Sequence, residues 1–303
     1  MATKNYNKPP LTIPEQINLL ESRGLIFNDK KRAYQYLEFI SYHRLCSYAA
    51  EFQEPGTHHY KQPTTFEQVV DCYNFDRKLR LLVIDAIERI EVAIRTIMTN
   101  QLALQYGSHW YMNPTLFLSK FDHDNFIQSV RKEIFHQGKN KQKKREQFIQ
   151  HYYDNYITPE LPPSWMVAEI LSLGTWSILF ANLINRDDQK IICEPFGISY
   201  IVMTSWLHSL TYLRNLCAHH SKLWNRHFIF TPMVAKEYAK HLIPNTSFAA
   251  QAAILRIFMK TISPESNWSQ RLWELVNEYT EIEYSRMGFH ADWQPDPFWG
   301  IQI

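Results

Sequence analysis

Between residues 79 and 97, apolar side chains recur at gaps of three and four: Leu79, Leu82, Val83, Ala86, Ile90, Ala93, Ile94 and Ile97. That period marks one face of an α-helix, so the spacing predicts a long amphipathic helix with this stripe in the core. Its other faces carry Arg80, Glu88, Arg89, Glu91 and Arg95, expected as solvated ion pairs. An approach of Glu91 or Arg95 to a functional site is the alternative.

The same reading extends along the chain. Thr12 and Glu15 form a capping box, with Pro14 in the first turn and Gly24 at the stop, which predicts a short first helix. A second is expected from Asp29 to Tyr48, leading into the aromatic residues Phe39, Tyr42 and Tyr48. Thr65 and Gln68 open a further cap. Ser199 to Cys217 reads as a helix that carries Ile201, Val202, Trp206, Leu210 and Leu213 inward. Pro232 to Pro244 marks a boundary, and helices are expected over Phe248 to Ile262 and Arg271 to Tyr284. Alternating strand patterns bounded by glycine turns are lacking and no internal repeat stands out, so the fold class predicted is all-α.

One stretch, Trp165 to Ile184, is apolar enough to raise the question of a membrane span. Glu169, Ser172, Gly174, Ser177 and Asn182 interrupt it, and a carboxylate inside lipid is expensive, so a buried helix or helix pair is expected instead. Glu169 then becomes a candidate buried acid. Its two readings are a structural partner for an arginine and a group that orients a nearby histidine or Arg214.

Composition removes several function classes. With 303 residues and 45% hydrophobic content the chain can bury a sizeable core, in one large domain or two smaller ones. Only 8 glycines are present, and none forms a phosphate-cradling loop of the dinucleotide or nucleotide-triphosphate type. Cys46, Cys72, Cys193 and Cys217 are scattered without zinc-ligand spacing, so they are expected reduced and mostly buried, and no metal or other cofactor is expected. Residues Met1 to Pro10 carry no apolar signal core, which points to a cytoplasmic protein.

The segment from Asp122 to Tyr156 mixes charge with aromatics and contains Lys139, Lys141, Lys143, Lys144 and Arg145. Such a run is either a solvated loop or a contact for RNA phosphates, to which lysine brings charge without reading sequence. The net charge of only +2 limits any global attraction to nucleic acid.

Chemistry concentrates in the run from Leu213 to Arg226, which reads Leu-Arg-Asn-Leu-Cys-Ala-His-His-Ser-Lys-Leu-Trp-Asn-Arg. Cleaving RNA without a metal needs a base for the ribose 2′-hydroxyl, an acid for the departing 5′-oxygen and a fixed cation for the charge on phosphorus. Histidine titrates near neutral pH and serves the first two roles, while the guanidinium fork suits the third. Arg214 and His219 are therefore the candidate pair. Spacing alone is weak support, because Arg131 with His136 and Arg145 with His151 show similar gaps in unrelated surroundings.

The context of Arg214 is more specific. The run RNLCAHHSKLWNR resembles the signature of Abi-like proteins, abortive-infection proteins of the AbiD/AbiF type, within the HEPN superfamily of helical ribonucleases. Four other blocks resemble the family in order. They are Tyr42 to Tyr48; Tyr73 to Arg80 with Ile87 to Arg95; Leu161 to Trp165 running into Glu169 to Gly174; and the closing segment from Met287 through Phe289 to Trp293. Ser47 departs from the pattern, which calls for glycine, and that puts the local turn around it in question.

The resemblance implies an HEPN-like helical bundle, and the reading along the chain sets an extra N-terminal helical segment, residues 1–64, ahead of a body at 65–303. It implies that Arg214 and His219 act as the catalytic pair, with Asn215 as the polar neighbour of the arginine. His220 satisfies a longer gap, so it assists, binds RNA or points elsewhere; the bland alternative for the whole block has Arg214 paired with a buried acid and both histidines in core hydrogen bonds. On an ideal helix, positions five apart lie roughly 140° around the axis, so one copy makes an awkward site. A two-fold homodimer presents the same patch twice and joins two Arg214 to two His219, as the resemblance also implies. The expected function is a metal-independent endoribonuclease in anti-phage abortive infection of toxin–antitoxin type, with RNA as substrate and a small regulatory RNA or antitoxin as further partner. The alternative is a non-catalytic RNA-binding or regulatory module.

Overall fold

The computed structural model describes residues 7–135, 146–279 and 282–301, and their regular structure is almost entirely helical. In chain order the helices are α1 (Ile13–Ser22), α2 (Lys30–Ile40), α3 (Tyr42–Ala49), α4 (Phe66–Tyr106), α5 (His123–Ile134), α6 (Gln147–Asn155) and α7 (Ser164–Ala168). There follow α8 (Leu173–Asn182), α9 (Arg186–Cys193), α10 (Tyr200–Ala218), α11 (Ala239–Leu242), α12 (Phe248–Ile262) and α13 (Trp268–Glu278). The all-α class expected from periodicity is the class observed. The only strands among the described residues are the two-residue pair β1 (Leu25–Ile26) and β2 (Thr64–Thr65), parallel and in the register Leu25 to Thr64.

The chain divides into two compact units, one running up to Arg80 and including Leu272–Tyr284, the other comprising Leu81–Arg271 and Ser285–Ile303. In the first, both capping boxes form. The Glu15 carboxylate accepts from the Thr12 amide at 2.7 Å, and Gln68 accepts from the Thr65 amide at 2.7 Å while the Thr65 hydroxyl accepts from the Gln68 amide at 3.3 Å. Each cap satisfies amides that helix geometry leaves without intrahelical partners.

Two local expectations fail in this unit. The single helix expected from Asp29 to Tyr48 is broken at Ser41, whose φ of 80° ends α2 and whose hydroxyl then accepts from the Arg44 amide at the start of α3. Apolar periodicity runs through the break and hides it. Ser47, where the family pattern calls for glycine, lies inside α3 with its hydroxyl donating to the Arg44 carbonyl at 2.7 Å, so no turn is required there.

Arg80 is also corrected. It is not solvated but buried, paired on its own helix with the fully buried Asp76, whose carboxylate also accepts from the Tyr48 hydroxyl at 2.7 Å. Burial and the neighbouring carboxylate push the Tyr48 phenol up. Arg95 and Glu91 likewise form a mostly buried pair, whereas Arg89 with Asp85 stays exposed at 3.2 Å.

The second unit is built around α10, which packs against α8, α9 and α12. Val202, Met203, Trp206, Leu207, Leu210 and Leu213 on α10 are buried, and α12 is buried along nearly its whole length. Ile201, expected inward, instead faces out with 51% of its surface exposed. Contact between α8 and α10 is close at Gly174, where a Cβ would come within 3.2 Å of the Thr211 side chain. A side chain at Gly174 would sit tight against the Thr211 methyl, about one turn before Arg214, so this glycine lets α8 and α10 approach closely.

The apolar stretch from Trp165 to Ile184 is the helix pair α7 and α8, and among the described residues no helix is long and apolar enough to cross a membrane. Glu169 is not a buried acid. It caps α7, is exposed, and has no arginine partner among the described residues. The final helix is shorter than expected, ending at Glu278. None of the four cysteines is in a disulfide; Cys72, Cys193 and Cys217 are buried, and burial pushes the Cys193 thiol up to about 12.

Candidate active site at the end of α10

The sequence folds into a long helix here because Ser199 supplies a cap, its hydroxyl accepting from the Val202 amide at 3.3 Å, and because a continuous apolar face follows. That helix delivers the run from Leu213 onward on a rigid element. The helix stops in a Schellman arrangement. The His220 amide donates to the Cys217 carbonyl at 3.0 Å, and the Ser221 amide donates to the Leu216 carbonyl at 2.8 Å. His220 itself sits at φ 56°, in the left-handed position that glycine usually fills. A non-glycine residue held there costs about 1–3 kcal/mol, and such strain concentrates at functional sites.

Arg214 is half-buried and has no carboxylate partner among the described residues. Its guanidinium is turned toward the next residue, Nη1 lying 3.5 Å from the Asn215 Oδ1. Asn215, His219 and His220 are all exposed, and the His219 side chain has no hydrogen-bond partner among the described residues. The bland alternative, an arginine paired with a buried acid and histidines bonded in the core, does not describe this geometry. Arg214 and His219 stand on the same end of one helix, joined by no direct hydrogen bond.

The loop that follows is tightly held. Leu223, Trp224 and Phe228 are buried; the Lys222 ammonium lies 4.8 Å from the Trp224 ring centroid, and Arg226 donates to the Lys222 carbonyl at 2.9 Å. Asn225 adopts φ 51°, and both polar atoms of its amide are buried without a hydrogen-bond partner.

The sequence around the site carries a further signal. Between Glu194 and Glu237 the chain contains no carboxylate, yet it carries Arg214, Lys222, Arg226, Lys236 and the histidines His208, His219, His220 and His227. The modest overall charge conceals this locally cationic stretch, which suits a polyanion. Periodicity missed a second set. Tyr212, His208 and Phe230 form an aromatic group, with Phe230 centred 4.8 Å from His208 and 5.0 Å from Tyr212.

The other candidates fall elsewhere. Lys139, Lys141, Lys143, Lys144 and Arg145 lie outside the described residues, as does His136. Arg131 pairs with Glu160, and His151 contacts Asn155. Among the described residues no three His, Cys, Asp or Glu side chains are grouped as a metal ion would require.

The family model for Abi-like proteins matches residues 35–225, which is well over half of the chain and includes Arg214, Asn215, His219, His220 and Asn225. The chain belongs to the Abi-like protein family, a family associated with abortive-infection defence. No curated protein and no solved structure matches it.

Proposed function

We propose that the chain is a metal-independent endoribonuclease of HEPN type, acting in abortive infection, with Arg214 and His219 as its catalytic residues. The observation that carries this reading is an arginine without an acid partner among the described residues, turned toward an amide one residue on, at a helix end that also exposes two histidines. A guanidinium left uncompensated in a stretch without carboxylates is available to a phosphate, and guanidinium geometry matches phosphate oxygens bidentately.

The reaction follows from these groups. A neutral imidazole takes the proton of the ribose 2′-hydroxyl, and the 2′-oxygen attacks phosphorus. The bond to the 5′-oxygen breaks and a protonated imidazole supplies its proton, leaving a 2′,3′-cyclic phosphate and a 5′-hydroxyl. Arg214 stabilises the charge gathered on the non-bridging oxygens. Asn215, exposed beside it, holds the guanidinium toward the His219 side of α10. His220 is a supporting residue through its backbone, which closes the helix and fixes where His219 stands. Glu169, exposed at the end of α7, is a weaker supporting candidate than its expected burial suggested.

One imidazole cannot be base and acid in the same turnover unless the proton moves across the reacting centre. A homodimer solves this by contributing two His219 and two Arg214 to a composite site. The test is direct. His219→Ala abolishes both RNA cleavage in the presence of a chelator and growth inhibition on expression, and dilution to a monomeric state reduces specific activity; full activity in the variant or in a demonstrable monomer contradicts the proposal. If RNA binding survives in the wild type with no cleavage under any condition, a non-catalytic RNA-binding role takes its place. Regulation by an antitoxin or a small RNA belongs to the same proposal and would be visible as a partner co-purifying with the His219→Ala protein.

A further inference from the structure

The outward face of α10 carries more than the motif. At 3.6 residues per turn, His208, Tyr212, Asn215 and His219 fall within roughly 60° of one another, and Ile201 lies on the same line. This is a continuous surface stripe, exposed or half-exposed at each of these positions. The segment after the motif runs beside it. Phe230 is 45% exposed, and its carbonyl accepts from the Ser209 hydroxyl at 3.0 Å. Three residues on, the Met233 amide donates to the Ser205 hydroxyl at 2.8 Å, and the Trp206 indole donates to the Met233 carbonyl at 2.9 Å. The segment is therefore clamped to α10 at both ends, and its exposed ring is held in place before any ligand arrives.

We propose that Phe230, Tyr212 and His208 form a stacking platform for a nucleobase of single-stranded RNA, on the strand that enters the site at Arg214 and His219. This rests on the nuclease reading above and extends it to how the substrate is held. Three features favour this occupant over another. The rings are exposed or half-exposed and preorganised, so ordering them on binding costs little. The stripe lies in the carboxylate-free stretch of the chain, which complements a phosphate backbone. From Tyr212 to His219 the helix rises only roughly 10 Å, which suits a nucleotide flanking the cleaved bond. Stacking also tolerates any base, because every base presents a π face.

The test uses the full chain and a fluorescein-labelled 2′-O-methyl oligoribonucleotide, which lacks the nucleophile and is not cleaved, beside an abasic oligomer of the same length. Phe230→Leu keeps apolar bulk and removes the ring. It is expected to weaken binding of the base-containing oligomer about tenfold, a typical stacking contribution, and to leave the abasic oligomer unchanged, while Phe230→Trp retains the affinity. If Phe230→Leu does not fold, His208→Leu on the exposed helix face carries the same comparison. Equal losses on both oligomers, no loss on either, or a wild type that does not distinguish them overturns the platform. So does a Phe230→Leu protein that binds RNA normally but no longer dimerises, which would assign the patch to a second copy of the chain. Normal RNA binding by Phe230→Leu alongside robust wild-type cleavage removes the platform alone; base-dependent binding without any cleavage removes the nuclease reading alone.

Discussion

Arg80 on α4 and Arg214 on α10 are the same side chain in opposite circumstances. Arg80 is buried, paired with a fully buried Asp76 that also accepts from Tyr48. Arg214 is half-exposed, faces an uncharged amide at 3.5 Å, and has no acid partner among the described residues. A guanidinium that is saturated by its own chain holds structure and has nothing left to offer a ligand. One that reaches a surface without compensation keeps its charge and donors for something that arrives from outside.

Substituting the two residues should separate stability from activity. Arg80→Ala strips the cation from a buried carboxylate and is expected to destabilise the fold by about 3–5 kcal/mol, read as a lower midpoint in urea. Arg214→Ala is expected to change the unfolding free energy by no more than about 0.5 kcal/mol and to lower RNA cleavage at least about 100-fold. If Arg214→Ala instead unfolds the protein, the contrast between the two arginines collapses.

His220 sharpens the comparison with a smaller effect. Its backbone is held at φ 56° to close α10, so His220→Gly should raise stability by about 1 kcal/mol. Calorimetry reads that gain. A fall in cleavage as deep as that of Arg214→Ala would move the acid–base role from His219 to its neighbour.

The smallest effect expected is on pH. Burial lowers the pKa of His109 and of His241 from the ordinary value of 6.5. In both, the folded state favours the neutral ring. Their contribution is therefore complete above the unfolded pKa and is eroded as pH falls below 6.5, where the unfolded chain takes up protons that the folded chain resists. Urea midpoints should decline over that range before the carboxylates titrate, and His109→Gln should flatten the decline. An unchanged slope in that variant would show that His109 contributes nothing to it.

What could be read from the sequence was local. The capping boxes at Thr12 and Thr65 and the spans of α10 and α12 depend on residues a few positions apart, and they form as expected. The Abi-like relationship was legible because its blocks are contiguous runs. What failed depended on distant or conformational facts. Arg80 looked solvated because one of its partners, Tyr48, lies 32 residues earlier. The break at Ser41 is a positive φ at a residue whose type does not announce it. Glu169 was expected inside because its neighbours are apolar, yet it falls at the exposed end of a five-residue helix. Ile201 was assigned inward from its hydrophobicity, while the polar and aromatic members of its stripe reveal that this face of α10 is the outer one. At the candidate site, residue identities were legible but their surroundings were not: only the folded chain shows that Arg214 lacks an acid partner among the described residues and that the histidines are exposed.

Arg214 and His219 are proposed to cleave RNA through the 2′-hydroxyl without a metal. The most direct measurement is end-group analysis of a single-stranded RNA incubated with the full chain in excess chelator, in parallel with Arg214→Ala and His219→Ala. The account predicts 2′,3′-cyclic phosphate and 5′-hydroxyl ends from the wild type and at least about 100-fold less product from each variant. Intact RNA with the wild type, or the same product yield from all three proteins, would contradict it.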